Sequence, residues 1–412
     1  MRYSQLFGKT SKTSPADADS INAKLLTQGG FISKQMAGVY NFLPLGLKVL
    51  KKIQDIIREE MNAIGGQEIL MPALTQEESY VTTGRTEMDI LFRTEIVGGG
   101  KAMLNPTHEE VVTPLVQSNV FSYRDLPVFV YQIQNKFRNE ARAKSGLLRG
   151  REFNMKDLYS FHTSLEDLDN FYEKATQAYF NVYEKIGLGN ITVLTYASGG
   201  TFSRYSHEFQ ALCDVGEDTI FMCEKCHVAV NKEIIDEHNF CPKCNGVDLV
   251  SKKAVEVGNI FKLRTKFSDA FKFQYTDSSG KNQPVEMGCY GIGPSRLMGT
   301  IVEIFNDKKG IIWPKNIAPY TVHLINLGGS DEVTNEAEKL YKDLQKNKHE
   351  VLFDDREGVT AGERFADADL IGLPVRIVVS KKSLAENSFE VKKRNEEKAT
   401  LVKIIDLNGY LK

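Results

Sequence analysis

Residues 136–161, KFRNEARAKSGLLRGREFNMKDLYSF, restrict this chain more than any other stretch. Upstream, PVFVYQIQ (127–134) is rich in β-branched and aromatic residues and opens on a proline, which predicts a strand. Residues 152–161 return to strand spacing and put Phe153 and Met155 on one face. Between them, residues 141–150 are small, basic and glycine-containing, which predicts a loop. A hairpin turns in two to five residues, and a longer connection is generally kept for function. Arg138, Arg142, Lys144, Arg149 and Arg151 crowd this hairpin, with Glu140 among them. Guanidinium groups present planar, paired donors suited to phosphate and carboxylate. The same composition also fits a solvated charged hairpin, so the segment alone fixes the local fold and leaves the chemistry open.

At 412 residues the chain exceeds one typical domain, and two or three are expected. Hydrophobic residues make up 42% and charged residues 26%, as in soluble globular proteins. The net charge of −2 means that any polyanion site must be a local patch. No apolar run of about 18 residues exists, so no membrane span is expected. The first residues, MRYSQLFGKTSKTS, lack the apolar core of a secretory signal, and the cytoplasm is the expected compartment. There the six cysteines are thiols or metal ligands. Cys223 and Cys226 (CEKC) stand fourteen residues before Cys241 and Cys244 (CPKC). Two such pairs supply the four thiolates of tetrahedral zinc, and four thiolates leave no open coordination position, so a structural ion is expected.

Along the chain, Leu50, Ile53, Ile57, Met61 and Ile64 mark an amphipathic helix over 47–64, stopped by Gly65 and Gly66. A short strand then closes at Pro72. Residues 1–20 are expected to order only on binding a ligand or partner, and 75–101, polar and glycine-rich, to be loop. In LNPTHEEVVTPLV (104–116), Thr107 to Glu110 fits a capping box; Thr107 and Glu109 fit equally a polar group and a carboxylate set beside the hairpin to meet a cationic nitrogen. Ser164 opens a second helix with an aromatic stripe, ended by Gly187. Gly199 and Gly200 bend the chain before Ser206, His207 and Glu208, which suits either a pocket or plain structure. In PVEMGCYGIGPSR (284–296) a strand runs into Gly288, Gly291 and Gly293, with Arg296 at the head of an apolar helix. The glycine order excludes a dinucleotide fingerprint, and no P-loop motif occurs. These glycines would let a nucleotide lie flat on a sheet, and Arg296 would meet a phosphate at a helix N-terminus. Beyond the proline-marked segment 313–320, strands and helices alternate, which predicts a separate α/β domain of about ninety residues. Its basic run Lys392, Lys393 and Arg394 reads as a solvated edge or an RNA-facing surface.

Together these motifs resemble a class II aminoacyl-tRNA synthetase. The helix, strand and Pro72 resemble motif 1; FRNE (137–140), the basic loop and RGREF (149–153) resemble motif 2; GCYGIGPSR resembles motif 3. More narrowly the chain is similar to the bacterial type of the prolyl-tRNA synthetase family, through GGFISKQMAGVYNFLPLG, NPTHEE, REFNMKDLYSFH, SHEFQ, MGCYGIGPSR and GIIWPKNIAPY. DDREGVTAGERFADADLIGLP resembles the anticodon-binding domain of that group. Synthetases for threonine, glycine, serine or histidine share the three motifs but are not expected to share this set. A synthetase-like regulator would be expected to have lost the phosphate arginines.

The resemblance implies an α+β catalytic domain, an antiparallel sheet flanked by helices, built from 1–217 and 255–316. A short zinc-ribbon-like insertion carrying the four cysteines (218–254) would replace the large editing insertion of many bacterial members, and 317–412 would form an α/β anticodon-binding domain. It further implies ligation of L-proline to tRNA(Pro) through prolyl adenylate, with ATP, Mg²⁺ and a structural Zn²⁺, by a homodimer that joins at motif 1 and works in the cytoplasm. By similarity Arg138 and Arg296 would be catalytic, with Arg138 bridging the α-phosphate and the substrate carboxylate. Glu140 would read the adenine amino group and Phe153 would stack on the base. Arg149 and Arg296 would hold the outer phosphates. Thr107 and Glu109 would meet the imino nitrogen of proline; His207, Glu208 and Cys289 would line its pocket; Arg356 and Glu363 would contact the anticodon.

Overall fold

The computed structural model describes residues 1–411 and divides into two compact units. One comprises Met1–Gln35, Tyr40–Lys52 and the chain from Ile301 onward; the other comprises Met36–Val39 and Ile53–Thr300.

The larger unit is built on a nine-stranded sheet. Its strands are β1 (Gln67–Glu68), β2 (Val128–Phe137), β3 (Glu152–His162), β4 (Thr192–Ser198), β5 (Tyr205–Leu212), β6 (Asp218–Cys223), β7 (Val228–Asn231), β8 (Val250–Arg264) and β9 (Glu286–Ile292). They lie in the order β5-β4-β7-β6-β8-β9-β3-β2-β1. Neighbours are antiparallel except β7 beside β4 and β1 beside β2. The long strand β8 pairs with β6 through its first residues, with β5 through its middle and with β9 through its end. The β5–β8 pairing closes β5, β4, β7, β6 and β8 into a ring, filled by Val193, Ile220, Met222, Ala229 and Ala254. Strands β6 and β7 come from the cysteine-containing segment and are woven into this ring.

The expected hairpin forms as β2 and β3, with Lys136 opposite Phe153 and Phe137 opposite Glu152. On β3 alternate residues face opposite ways. Phe153, Met155 and Asp157 face a cavity, whereas Lys156 turns to the helix behind the sheet. That helix, α4 in chain order after α1 (Pro44–Ala63), α2 (Glu77–Thr83) and α3 (Glu109–Gln117), is Leu165–Ile186. Ser164 caps it by accepting from the Asp167 amide, and Gly187, at φ 91°, ends it. Its stripe of Leu168, Phe171, Tyr172, Tyr179, Val182, Tyr183 and Ile186 is buried, each side chain contributing about 1.5–3 kcal/mol of apolar transfer. The stripe is therefore core. Helix α5 (Pro294–Ile304) follows β9 as expected.

Two expectations for this unit change. The strand closing at Pro72 shrinks to Gln67–Glu68, although the Ile69 amide still donates to Tyr131. Residues 75–101 are not loop. They hold α2 and most of a three-stranded antiparallel sheet made of Leu74–Gln76, Phe92–Glu95 and Lys101–Leu104. These strands are only three or four residues long and mostly exposed, so no apolar alternation announces them. Gly98, Gly99 and Gly100, all at positive φ, make the hairpin turn.

In the other unit a five-stranded sheet runs in the order β11-β10-β12-β13-β14, from β10 (Val322–Asn326), β11 (Val351–Asp354), β12 (Val375–Val379), β13 (Ser388–Lys393) and β14 (Thr400–Lys403). The first three are parallel and joined through α6 (Asp331–Lys346) and α7 (Ala361–Ile371), as the alternation predicts. The last two are antiparallel additions. They place the basic run inside the sheet: Lys392 and Arg394 are buried, and Arg394 holds Asp307 at 2.8 Å. Lys393, between them, stays exposed. The N-terminal residues are ordered in the same unit, contrary to expectation. Tyr3 is fully buried, and Arg2 pairs with Glu338 at 2.6 Å.

Candidate active site

Three adjacent strands make the floor of the site. Phe153, Met155 and Asp157 on β3, Cys289 and Gly291 on β9, and Glu256 and Asn259 on β8 all line a cavity of about 200 Å³. Thr107 enters from the turn before α3, Phe202 from the loop between β4 and β5, Arg138 from the end of β2 and Arg296 from α5. A Cβ on Gly291 would meet only Asn259 O at 3.8 Å and Met155 Sδ at 3.9 Å, so the glycine keeps this face flat and open.

Arg138 is the exceptional group. Its guanidinium lies 5.1 Å from the Phe153 ring centroid and, among the described residues, makes no hydrogen bond or ion pair with any side chain. Burial, then the neighbouring Arg296, pulls its pKa below the ordinary arginine value. Its Nε is buried without an acceptor, which costs folding energy, and the half-buried group faces a cavity. By contrast Arg296 is anchored to Leu148 O at 2.9 Å and to the Glu256 carboxylate at 3.0 Å.

Next to this cavity a second, also about 200 Å³, is lined by Glu140, Arg149, Glu217, Asp218, Glu256 and Arg296 among others. Glu140 and Arg149 pair with each other at 2.9 Å, and Arg149 also reaches Glu217 at 3.5 Å. The loop that carries them is fixed at its far end. Gly38 O accepts from the Arg151 amide at 2.7 Å, and Arg151 Nη1 donates to Ala37 O at 3.0 Å.

At the other end of the first cavity the charges are arranged differently from the expectation. Glu109 is fully buried and does not reach the cavity. Its carboxylate accepts from Thr107 Oγ1 at 2.6 Å, from the Cys289 thiol at 3.3 Å and from Arg85 at 3.2 Å. The capping box is also unmade, because Glu110 turns to Arg85 at 3.0 Å and Thr83 at 2.8 Å. The carboxylate that lines the cavity here is Asp157. It pairs with Lys136 at 2.7 Å and accepts from Tyr159 and Gln132 at 3.1 Å each. Burial lowers the Lys136 pKa and Asp157 opposes that fall; burial also holds His108 down at about 4.

His207 and Glu208 do not share the cavity with Thr107 and Cys289. As neighbours on β5 they face opposite sides. His207 accepts or donates at Tyr172 Oη, 3.0 Å away, and lies edge-on to Tyr196 at 4.4 Å. Burial holds its pKa down at about 4. Glu208 lines an adjoining open groove of about 590 Å³ that shares Phe202, Glu256 and Asn259 with the first cavity. Burial and then Glu256 push its carboxyl up to about 8, and Asp218 is raised by burial as well. Arg356 is likewise committed internally: it pairs with Asp354 at 2.7 Å and Asp367 at 2.8 Å, and stacks 4.1 Å over Tyr3. Glu363 stays partly exposed, 3.5 Å from Lys12.

Sequence reasoning missed Asp157, Glu256, Asn259, Phe202 and Arg85. Extending the Phe153–Met155 alternation by two residues reaches Asp157, and β8 offers a similar signal for Glu256. Nothing local marks Arg85 or Phe202.

The four cysteines converge as expected. Their sulfurs lie within 4.8 Å of one another, with Cys223 and Cys244 at 3.8 Å. Thiolates about 2.3 Å from a tetrahedral ion sit about 3.8 Å apart. In each knuckle the residue after the second cysteine is left-handed, His227 at φ 53° and Asn245 at φ 57°.

Residues 92–305 match the family described as tRNA synthetase class II core domain (G, H, P, S and T), and residues 321–412 match an anticodon binding domain. The full-length relatives narrow the family further. A proline--tRNA ligase of Wolbachia pipientis wMel is 40% identical over 96% of this chain and 95% of its own length. That of Dehalococcoides mccartyi strain BAV1 is 34% identical over 98% of this chain and 97% of its own. This chain belongs to the prolyl-tRNA synthetase family. Among solved structures, Giardia lamblia prolyl-tRNA synthetase in complex with prolyl-adenylate superposes with a TM-score of 0.77 at 20% identity, covering 93% of this chain and 74% of that one. The Cryptosporidium parvum prolyl-tRNA synthetase complexed with halofuginone and AMPPNP gives 0.79 at 18% identity, covering 98% and 78%. Both establish a prolyl-tRNA synthetase fold. The Dehalococcoides alignment runs over 553 positions, more than the 412 residues available here, whereas the Wolbachia alignment takes 409. This prolyl-tRNA synthetase homologue therefore lacks a segment that the longer relatives carry.

Proposed function

We infer that this protein is a proline--tRNA ligase that activates L-proline with ATP and transfers the prolyl group to tRNA(Pro). The observation that carries the chemistry is Arg138, a half-buried guanidinium without an anionic partner among the described residues, in a cavity floored by glycine and flanked by Phe153 and Arg296.

In the first step the proline carboxylate attacks the α-phosphate of ATP, forming the acyl–phosphate bond as pyrophosphate leaves. Arg138 spans carboxylate and α-phosphate, brings them together and offsets the charge that grows on the phosphate oxygens. Phe153 stacks on adenine and Glu140 accepts from its amino group. Arg149 and Arg296 hold the outer phosphates, so Arg149 exchanges its Glu140 and Glu217 partners for phosphate. Thr107 and Asp157 meet the imino cation of proline. Glu109 acts behind them by fixing Thr107 and Cys289. In the second step the terminal ribose hydroxyl of tRNA(Pro) attacks the carbonyl and AMP leaves. Neither step needs a protein nucleophile.

The carboxyls of Glu208 and Asp218 are raised by burial and by Glu256, an acidic grouping that suits a hard cation shared with phosphate oxygens. Mg²⁺ held by Glu256 and Asp218 would supply charge neutralisation at the departing pyrophosphate. The Cys223, Cys226, Cys241 and Cys244 thiolates would hold a structural Zn²⁺. Exposed Leu70, Leu74 and Val81 after α1 support a homodimer formed by this face. Among the described residues no helix is long and apolar enough to cross a membrane. The cytoplasm, where charged tRNA is consumed, would be the enzyme's compartment. The domain from residue 321 would read the anticodon, with Glu363 on its surface. The segment missing relative to the longer ligases would be the editing domain. Measurable alanine activation follows, because each methylene is worth only about 1–3 kcal/mol to an apolar pocket.

The test is pyrophosphate exchange into ATP across all twenty amino acids. Exchange chiefly with proline, weaker with alanine, is expected. Exchange chiefly with threonine or histidine, or none with any amino acid, overturns the reading.

A further inference from the structure

We propose that Arg85 is a positioning residue that sets the amino-acid end of the cavity, and through it the enzyme's apparent affinity for proline. The proposal rests on the reading of this cavity as the proline site. Arg85 follows α2, on the segment that also supplies the small three-stranded sheet, and it is 5% exposed. It touches neither the cavity nor any reacting atom. Its Nη1 donates to Glu109 Oε2 at 3.2 Å and to Glu110 Oε1 at 3.0 Å. Its guanidinium carbon lies 4.8 Å from the Phe202 ring and 5.3 Å from the Phe267 ring. Nε and Nη2 make no hydrogen bond among the described residues, so the ion pairs and the two rings hold the group.

What it holds are walls of the cavity. Glu109 takes the Thr107 hydroxyl and the Cys289 thiol; Thr107, Cys289 and Phe202 all line the cavity. Those three residues come from the turn before α3, from β9 and from the β4–β5 loop. One guanidinium thus ties three elements far apart in sequence to a single geometry. Charge requires it as well. Glu109 and Glu110 are both buried, and the Glu110 carboxyl is raised by burial while Arg85 holds it down. Lysine is a poorer substitute, since a compact ammonium lacks the planar guanidinium face that comes within 4.8 Å of the Phe202 ring and 5.3 Å of the Phe267 ring.

Phe202 is the cavity wall that Arg85 meets directly. It sits on a loop begun by Gly199 and Gly200, and its ring is placed by Arg85 on one side and by Phe261, 4.7 Å away, on the other. The ring's position sets how closely the cavity fits a pyrrolidine. The ATP end, at Phe153, Arg138 and Arg296, makes no contact with Arg85, so the effect is confined to the amino acid.

Proline-dependent pyrophosphate exchange on the full chain tests this with Arg85→Lys, Phe202→Ala, Phe202→Tyr and the double variant Arg85→Lys/Phe202→Ala. Each of Arg85→Lys and Phe202→Ala should raise the proline KM about tenfold or more, with kcat within about threefold and the ATP KM within about twofold. Phe202→Tyr should stay near wild type. The double variant should be at most about threefold worse than the worse single one, because both act through one ring. Multiplying effects in the double variant, an unchanged proline KM in either single variant, or an equal rise in the ATP KM overturns the proposal. If Arg85→Lys does not fold, Phe202→Ala against Phe202→Tyr decides, and a wild-type proline KM for Phe202→Ala sinks it. A wild type without proline-dependent exchange defeats the functional reading itself, and this proposal with it.

Discussion

Replacing Arg138 by methionine should destroy activity and at the same time stabilise the protein. Methionine keeps much of the stem's packing and removes only the charge and the donors. Two structural terms oppose each other. The cation–π contact with Phe153, centroid 5.1 Å away, is worth about 0.5–1 kcal/mol, the value for an exposed site, because the half-buried group opens on the cavity. Against it stands a buried donor group with no acceptor, which costs about 1–3 kcal/mol, in the repulsive field of Arg296. Relief wins by about 1 kcal/mol, which raises the Tm of a unit of this size by about 2–4 °C. On catalysis, loss of one preorganised donor at a charge-developing centre costs about 10²–10³ in kcat. Thermal melts without ligand and proline-dependent pyrophosphate exchange measure both. A variant that melts lower than wild type and still exchanges within tenfold would falsify the view of Arg138 as an anion receptor kept at the expense of stability.

Three further outcomes follow. Gly38, at φ 76°, has its would-be Cβ 2.5 Å from Ala143 Cβ and 2.8 Å from the Arg151 amide; Gly38→Ala should push the motif 2 loop away, raising the ATP KM about tenfold with the proline KM unchanged, and equal ATP KM values would refute the clamp. The Glu208 carboxyl, raised from 4.5 to about 8, adds stability that is complete below about pH 4.5 and disappears as pH rises through about 8; the Tm difference between wild type and Glu208→Gln should therefore shrink or reverse between pH 5 and 9, and a pH-independent difference would dismiss that burial. Chelation, or Cys226→Ser, should release one zinc per chain by elemental analysis and lower the Tm by several degrees, since β6 ends at Cys223 and begins at Asp218 beside Arg149 and Arg296; an unchanged melt after complete metal removal would rule out a structural ion.

How far the site could be read from sequence depends on how far its contacts reach. The hairpin of β2 and β3, helix α4 between Ser164 and Gly187, and the four-cysteine cluster all obey local rules of alternation, capping and spacing, and all three form. Arg138, Phe153, Cys289 and Arg296 meet in one cavity for the same reason, since each sits on or beside a legible element. What the pattern hides is which partner each polar side chain takes. Glu109 looks available until Arg85 closes on it from 24 residues earlier. Arg356 looks like a surface cation until Asp354 and Asp367 take it. His207 and Glu208 look like a pair, but a pleated strand separates them. Lys392 and Arg394 look solvent-facing until two antiparallel strands extend the sheet beyond the predicted alternation.

Strand β3 has one more consequence, for folding rather than catalysis. Its neighbours Lys156 and Asp157 are both buried, on opposite faces. Lys156 is accepted behind the sheet by Tyr179 Oη at 2.7 Å and Tyr290 O at 3.1 Å, while Asp157 meets Lys136 in front. A slip of one residue in pairing exchanges the two faces, sending the ammonium toward Lys136 and the carboxylate against the tyrosines of α4. Neither charge would then find its partner in a dry interior, at a cost of several kcal/mol. The polar residues that shape the pocket thus also reject the misregistered sheet.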